Sequence, residues 1–215
     1  MTYEEFRSSI KDGKISPLYI FEGQEDFLIE FCLGELKKAL VEPWSEMMNF
    51  KSYAELPPFS EAQDFMETLP VMSDRKLLIF RKCGLFSGNI KNKAQWEALF
   101  SSVPDFCCVV IWETSPDKGK KASSVQKSAQ KGAAVTVEFP LRTESVLKSW
   151  VIKNAAASGK TIDQKNALYL VNSLERRMRP IKTELEKIIS FSKSRQITLK
   201  PAFLIAAILS SIGIG

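Results

Sequence analysis

The position at which this sequence could bind a nucleotide phosphate follows the apolar run at residues 18–21 and begins with Gly23. Backbone amides at such a junction bind phosphates when the loop reads GxxxxGK followed by Ser or Thr, because the lysine reaches the outer phosphates. Here residues 23–29 read GQEDFLI, without a second glycine or a lysine, and the carboxylates of Glu25 and Asp26 would repel phosphate. The GxGxxG pattern of dinucleotide sites is also missing. The sequence therefore predicts no nucleotide binding or hydrolysis, and it favours Glu25 and Asp26 as charges at a helix N-terminus.

Side chains for other catalytic or metal chemistry are scarce. The 215 residues include no histidine, which removes the commonest general base, the commonest zinc ligand and every Ser-His or Cys-His nucleophile. The cysteines lie in apolar stretches without a CxxC pair, at Cys32, Cys83, Cys107 and Cys108. We interpret them as buried, reduced thiols of a cytoplasmic protein. The sequence thus predicts no catalytic residue, no cofactor and no metal site.

A lysine-rich stretch at residues 118–131 reads KGKKASSVQKSAQK and contains no acidic residue. Its cations are Lys118, Lys120, Lys121, Lys127 and Lys131. We favour a solvated loop and helix surface, because the stretch has no aromatic side chain on which bases could stack. The alternative is a surface that faces DNA, where counterion release would add salt-sensitive affinity. The formal net charge of +5 does not by itself indicate a partner.

The segment at residues 67–76 places apolar residues and a proline between a predicted helix and a predicted buried strand. Pro70 cannot continue the helix, and it disfavours helical backbone angles at Leu69. Val71 and Met72 are therefore expected on a turn outside the sheet, where a short apolar tip could enter a pocket of a partner protein. From periodicity alone, the alternative is that these two side chains pack under the edge of the domain.

The elements that must position these residues alternate between strands and helices. Apolar runs predict strands at residues 18–21, 47–53, 76–81, 106–112 and 135–139. Helical periodicity predicts helices at residues 27–40, 61–69, with Ser60 as its cap, and 94–103. Because the strands are continuously apolar, helices are expected on both faces of a mostly parallel sheet. The predicted fold class for residues 1–140 is a three-layer α/β domain with five strands.

The pattern changes after Pro140. Three helices are predicted at residues 144–158, 163–174 and 180–192, without an intervening strand pattern, and Thr143 is the predicted cap of the first. We place a domain boundary at residues 140–142 and predict a small all-helical domain over residues 141–215. The apolar tail at residues 202–215 has 14 residues, fewer than the roughly 20 that cross a bilayer. We interpret it as a shortened packing helix, and the acidic N-terminus is not a secretory signal, so no membrane association is predicted.

Residues 67–82, ETLPVMSDRKLLIFRK, resemble the helix, turn and strand of the delta subunit of the bacterial DNA polymerase III clamp loader. In that family an apolar-Pro-apolar turn precedes an acid, one or two basic residues and an aliphatic strand. The matching positions here are residues 69–72, Asp74, Arg75 with Lys76, and residues 77–80. Further similar stretches are PLYIFEGQEDFL at 17–28 and KTELEKI at 182–188. The resemblance extends over about residues 3–200, nearly the whole chain.

The resemblance implies an AAA+ (RecA-like) α/β domain with a degenerate phosphate loop, a small helical lid domain, and a third domain that joins a pentameric collar. Members of the family bind the ring-shaped sliding clamp and open it at one subunit interface, while sibling subunits hydrolyse ATP. The resemblance assigns the clamp-contacting wedge to Pro70 and Val71, with Leu69 and Met72 beside them. This wedge lacks the bulky aromatic residue of some members. Because the family continues into its collar domain, we expect a truncated chain that ends before it at Gly215, and the alternative is an unusual member of the family.

The predicted function is that of a non-catalytic subunit of the DNA polymerase III holoenzyme. It would bind and open the sliding clamp for loading onto primed DNA, without hydrolysing ATP itself. Its predicted partners are the sliding clamp (beta subunit), the delta prime and tau/gamma subunits of the loader in the full-length protein, and primer-template DNA within the assembly. The predicted location is the cytoplasm. Two alternatives stay open: a nucleic-acid-binding module that uses residues 118–131, and a nucleotide-binding α/β enzyme with a non-standard loop at residues 23–27.

Overall fold

A computed structural model describes residues 1–87, 89–113 and 122–199. The chain forms two compact units, Met1–Pro140 and a second unit that begins at Leu141. The strands of the first unit are β1 (Leu18–Gly23), β2 (Phe50–Tyr53), β3 (Lys76–Arg81), β4 (Cys107–Trp112) and β5 (Val135–Phe139). Its helices are α1 (Tyr3–Lys11), α2 (Asp26–Leu40), α3 (Glu46–Asn49), α4 (Phe59–Glu67), α5 (Lys93–Ser101) and α6 (Ser124–Lys131), with a 3-10 turn at Pro43–Ser45.

The five strands form one parallel sheet in the order β2-β3-β4-β1-β5. β1 lies in the interior, where Ile20 pairs with Ile111 of β4 and with Thr136 of β5. Every residue of β4 is buried, as expected of a strand that has helices on both sides. The predicted three-layer α/β class with five parallel strands is confirmed.

Each face of the sheet has its own apolar core. On one face the strands pack against α4, α5 and α6, and the ring centroid of Phe80 lies 5.8 Å from that of Trp96. On the other face Phe6 of α1 meets Tyr19 and Phe21 edge to face, at centroid distances of 5.1 and 5.0 Å. Burying each such side chain contributes about 1.5 to 3 kcal/mol, so the packing on both faces fixes the helices against the sheet.

The segment predicted as a strand at residues 47–53 is a strand only in its second half. The 3-10 turn at Pro43–Ser45 runs into α3, and β2 begins at Phe50. Pro43 starts this turn, where its fixed φ favours helical backbone. The side chains of Met47 and Met48, which made the segment resemble a buried strand, are exposed. The strand prediction was wrong here because apolar side chains were taken to be buried.

The helices of the first unit differ from the prediction in several places, since α4 ends at Glu67 and not at Leu69, and α5 ends at Ser101 and not at Val103. α4 begins at Phe59, so Ser60 lies within the helix and is not its cap. α1 was not predicted, although the sequence contains its capping box. The Thr2 hydroxyl accepts from the Glu5 amide at 3.2 Å, and a Glu5 carboxylate oxygen accepts from the Thr2 amide at 2.7 Å.

The cysteines are free thiols, as predicted, but they differ in burial. Cys32, Cys107 and Cys108 are buried, whereas Cys83 is half-buried just after β3. Burial raises the pKa of the Cys107 thiol to about 12 and that of Cys83 to about 11. These thiols are therefore weakly nucleophilic at neutral pH.

The second unit contains α7 (Glu144–Ala157), α8 (Gln164–Ser173) and α9 (Met178–Phe191). These helices match the three predicted ones, and the Thr143 hydroxyl caps α7 by accepting from the Val146 amide at 3.5 Å. Two short strands, β6 (Thr161–Ile162) and β7 (Gln196–Ile197), form a parallel ladder that helical periodicity did not reveal. No helix within the described residues is long and apolar enough to cross a membrane. The apolar tail at residues 202–215 lies outside the described residues.

Candidate functional site

The turn between α4 and β3 exposes apolar side chains to solvent. α4 ends at Glu67, and Thr68 has extended backbone angles (φ −70°, ψ 135°) that lead away from the helix. The exposed fractions are 68% for Leu69, 40% for Val71 and 84% for Met72. These side chains do not pack under the edge of the domain, so the apolar tip lies outside the sheet.

The turn is held in shape by the fully buried Asn49, the last residue of α3. Its Nδ2 donates to the Val71 carbonyl at 2.8 Å, and its Oδ1 accepts from the Val71 amide at 2.9 Å. On the far side of the turn, Arg75 Nη1 donates to the carbonyl of Ile15 at 3.1 Å. Met72 has a left-handed φ of 51°, an uncommon angle for a residue with a side chain, and these bonds support it. The tip is therefore ordered before a partner binds, which reduces the entropy cost of binding.

Sequence reasoning missed three further exposed side chains that precede Asn49 in the chain. Their exposed fractions are 70% for Trp44, 96% for Met47 and 61% for Met48. The signal that could have found them is Pro43 at the start of a helical turn. Apolar residues at positions i, i+3 and i+4 after it share one helix face.

The loop after β1, where a nucleotide would bind, uses its amides within the fold. The carbonyl oxygen of Phe139 accepts from the amides of Gln24 at 3.0 Å and Glu25 at 3.2 Å. In a phosphate loop, amides at this position bind the phosphates instead. Gly23 has a φ of 143°, and a Cβ there would lie 2.1 Å from the Phe139 oxygen. The loop thus packs against β5 at a distance that only glycine allows.

Carboxylates beside this loop bind the cations at the same edge of the sheet. Asp26 accepts from Lys82 Nζ at 2.7 Å, and both carboxylate oxygens of Glu30 lie 2.6 Å from Arg81 Nη1. The Lys82 ammonium also lies 4.7 Å from the ring centroid of Trp112. Both cations are paired within the chain, and neither is positioned for a phosphate. Asp26 stands in the first turn of α2, as predicted.

Two glutamates at the carboxyl ends of the strands have raised pKa values. Burial raises the pKa of Glu113, whose Oε1 accepts from the Leu85 amide at 2.9 Å and so holds the loop after β3. Burial, and then the charge of Glu138 on β5, raise the pKa of Glu22. These contacts are structural. Within the described residues, no group of three or more Asp, Glu, Cys or His side chains could hold a metal ion.

The lysine-rich stretch is described only in part. Lys127 and Lys131 are exposed and lie one turn apart on α6, which has no acidic residue in its first turn. Lys118, Lys120 and Lys121 lie outside the described residues. The structure therefore places only two of these five lysines on one helix face.

The apolar turn at residues 69–72 and the loop at residues 23–25, which we call the closed loop, lie at opposite edges of the parallel sheet. The turn precedes β3 and so lies at the amino edge, whereas Gly23 ends β1 at the carboxyl edge. The amino edge offers an ordered apolar surface for another protein. At the carboxyl edge, the Gln24 and Glu25 amides and the Arg81 and Lys82 side chains are already paired.

A protein-family model and a relative of known sequence both match this chain. The family model for the DNA polymerase III delta subunit matches residues 19–139. The DNA polymerase III subunit delta of Bacillus subtilis (strain 168) is 23% identical over 210 residues, which cover 93% of this chain and 59% of that relative.

Solved structures show the same fold. The Bacillus subtilis DNA clamp loader delta protein superposes with a TM-score of 0.65 at 22% identity, over 91% of this chain and 60% of its own. The RuvB Holliday junction branch migration motor of Thermotoga maritima gives a TM-score of 0.58 at 11% identity, over 98% of this chain and 66% of its own. The chain spans about three fifths of the length of the delta relatives it matches.

The α/β fold of the first unit is thus an AAA+-like fold, shared with RuvB. The delta family model covers most of this unit, including the apolar turn and the closed loop. Since that match extends over more than half of the residues, this chain belongs to the DNA polymerase III delta subunit family.

Proposed function

We propose that this chain binds and opens a ring-shaped sliding clamp, and that it does so without binding or hydrolysing ATP. The clamp-binding residues are Leu69, Pro70, Val71 and Met72. The observation that carries the proposal is the exposed apolar tip, fixed at the amino edge of the sheet by the two Asn49–Val71 hydrogen bonds. The closed loop at Gly23 supports independence from nucleotide.

The size of the tip suits a binding anchor. Each apolar side chain that moves from water into a pocket contributes about 1.5 to 3 kcal/mol, so a few such residues can dominate an interface. Because the turn is already ordered, little of that free energy is used to fix its conformation. Opening the ring additionally requires that the tip bind the open clamp more tightly than the closed one, since equal affinity would shift no population.

We further propose that the two units have separate roles. Residues 1–140 form the domain that presents the tip, and residues 141–215 form a lid domain. In the full-length protein, the delta prime and tau/gamma subunits are the proposed partners in the loader, with primer-template DNA inside the assembly. In this proposal the chain is an accessory subunit and not an enzyme.

Isothermal titration calorimetry tests the proposal directly. The chain is titrated with the sliding clamp of the same organism, first without nucleotide and then with ATP and magnesium. We expect binding with the same Kd in both conditions, and no heat when ATP alone is added to the chain. A folded sample that does not bind the clamp, or that binds ATP, would contradict the proposal.

A matched pair of variants tests the assigned residues. The double variant Val71→Asp, Met72→Asp should lose clamp binding and keep its thermal unfolding midpoint, because both side chains are exposed. The control is Phe191→Asp, which changes a side chain of similar exposure (74%) on α9 and should bind normally. If the turn variant still bound the clamp, the assignment of the clamp-binding residues to this turn would be wrong.

A DNA-binding role for α6 is the second candidate, since exposed Lys127 and Lys131 lie one turn apart. It predicts that this chain alone binds primed DNA with an affinity that falls as salt rises. Replacing both lysines by Glu should then remove DNA binding and leave clamp binding unchanged.

A further inference from the structure

Exposed apolar side chains are concentrated in one part of the first unit. Of twelve large apolar residues that are exposed within the described ranges, six lie at positions 44–48 and 69–72. Three of these belong to the tip, and the other three are Trp44, Met47 and Met48. We call these last three residues the α3 ridge.

In the α3 ridge and the residues between its members, the apolar side chains face solvent and two polar side chains are buried, which is the reverse of the usual arrangement in a folded protein. Trp44, Met47 and Met48 are exposed, while the polar Ser45 and Asn49 of the same turns are 5% and 0% exposed. The buried residues Ser45 and Asn49 are four positions apart, and so are the exposed residues Trp44 and Met48, as expected of two different faces of a helix. Apolar side chains so exposed contribute little to the core of this unit, and a group of them on one face is typical of a binding surface.

The α3 ridge is connected to the tip through Asn49. Asn49 follows Met48 directly, and its side chain makes both hydrogen bonds to Val71. β2 and β3 are neighbours in the sheet, with Phe50 paired to Leu77, so α3 and the turn both enter the sheet at its amino edge. A protein that binds the tip would therefore also lie near the α3 ridge.

We propose that the α3 ridge is the second half of the clamp-binding surface, and that Trp44, Met47 and Met48 contact an apolar groove on the clamp subunit that receives the tip. The inference rests on the proposed function. It adds residues that lie outside the apolar-Pro-apolar turn and that enlarge the surface without altering the tip. Flexible methionine side chains adapt to an irregular groove, and tryptophan is a common anchor.

The charges around this surface favour such a partner over a second copy of this chain. Exposed acids flank both segments in the sequence, at Glu42 before the α3 ridge and at Glu67 before the tip. In a two-fold contact between identical surfaces, the acidic side chains of one copy would face the acidic surface of the other, and the two copies would repel each other. The surface instead fits an apolar groove bordered by Lys or Arg, and its binding should weaken as salt rises.

The test compares three variants of the full chain by calorimetry against the clamp. Met47→Gln with Met48→Gln, and separately Trp44→Gln, should each raise Kd by about tenfold or more, since each removes about 1.4 kcal/mol or more of apolar contact. Phe191→Gln is the matched control, with an exposure of 74% on another part of the chain, and should keep the wild-type Kd. Unchanged thermal unfolding midpoints would show that all three fold.

The outcomes separate this inference from the proposed function. If the ridge variants bind like wild type while the Val71→Asp, Met72→Asp variant does not bind, the α3 ridge inference is overturned and the proposed function stands. If the folded wild-type chain does not bind the clamp, both are overturned. Sedimentation velocity should show a monomer; a dimer that the ridge variants dissociate would assign the surface to a second copy and overturn the inference.

Discussion

The side chain of Asn49 and the backbone of Val71 form a closed pair of hydrogen bonds, one accepted and one donated, at 2.9 and 2.8 Å. The pair connects two segments that are 22 residues apart in the chain. Asn49 is fully buried, whereas 40% of Val71 is exposed. One buried amide thus fixes the backbone of an exposed apolar tip, and it does so from the helical turn that carries the α3 ridge.

Replacing Asn49 by Ala should destabilise the fold and weaken clamp binding. Two neutral hydrogen bonds are lost, which we expect to lower the free energy of unfolding by about 1 to 3 kcal/mol. The Val71 amide should also lose protection from hydrogen exchange, because the turn is no longer held. Urea denaturation and amide exchange measure these two effects.

Asn154→Ala is the control for this substitution. Asn154 Nδ2 donates to the Trp150 carbonyl at 2.8 Å in the second unit, so its loss removes a side-chain hydrogen bond far from the tip in sequence. It should leave clamp affinity unchanged. Unaltered Val71 exchange in Asn49→Ala would contradict the role assigned to Asn49.

Gly23→Ala and Gly34→Ala should change stability in opposite directions. A Cβ at Gly23 would lie 2.1 Å from the backbone oxygen of Phe139, so we expect a loss of at least about 2 kcal/mol. Gly34 lies within α2, and a Cβ there would meet nothing within 4 Å among the described residues beyond its own helix, so alanine at this position should gain about 0.5 to 1 kcal/mol. Denaturant midpoints of the two variants, compared with wild type, test the packing of the closed loop.

Lys76→Met should stabilise the protein at neutral pH. Lys76 is 2% exposed, and its ammonium lies 4.4 Å from the ring centroid of Phe65. None of the ion pairs among the described residues includes it. Burial lowers the pKa of Lys76, so the folded state holds this proton less tightly than the unfolded state. The charge therefore costs stability at pH 7.

The advantage of Lys76→Met should depend on pH. Because the folded pKa of Lys76 is the lower one, the stability linked to this residue is present above the unfolded pKa and is lost as pH falls through the folded pKa. The Tm advantage of Lys76→Met should thus be a few degrees at pH 7 and shrink towards pH 10. The exposed Lys127→Met is the control and should show little advantage at either pH. A Lys76→Met variant less stable than wild type at pH 7 would contradict the account.

The sheet and the tip were predictable because single residues carried clear physical signals. β4 has six consecutive buried residues, and such a run is expected only between two helical layers. Pro70 cannot continue a helix on steric grounds alone, and this property predicted Val71 and Met72 on a turn outside the sheet, although periodicity alone left open that these two side chains pack under the edge of the domain.

The α3 ridge was not predictable by the same rules, because they equate apolar with buried. Met47 and Met48 were assigned to a strand for that reason, and the buried Ser45 and Asn49 show which side of the turn faces inward. For the loop at Gly23, the sequence showed only that the phosphate-binding motif is missing, and it did not show the packing that closes the loop. Its cause, the Phe139 carbonyl on β5, lies more than a hundred residues away and leaves no local signal.

Oxidation of methionine should weaken clamp binding selectively. Met47, Met48 and Met72 are 96%, 61% and 84% exposed, whereas Met66 and Met178 are buried. Peroxide adds an oxygen to an exposed thioether, and the resulting sulfoxide is polar and disfavours burial in an apolar groove. We expect peroxide to raise Kd by about tenfold or more, with sulfoxide found by mass spectrometry at these three positions.

A variant with Leu at all three positions separates this effect from other oxidation. Leu conserves apolar volume, so the variant should bind the clamp like wild type and should keep its Kd after peroxide. It retains Met1 and Cys83, and therefore controls for oxidation at both. The pKa of Cys83 is raised to about 11 by burial, so little of the reactive thiolate exists at neutral pH. If wild type kept its affinity while fully oxidised at these methionines, they would not lie in the interface. The tip could then contact the clamp only through Leu69, Pro70 and Val71, and the α3 ridge only through Trp44.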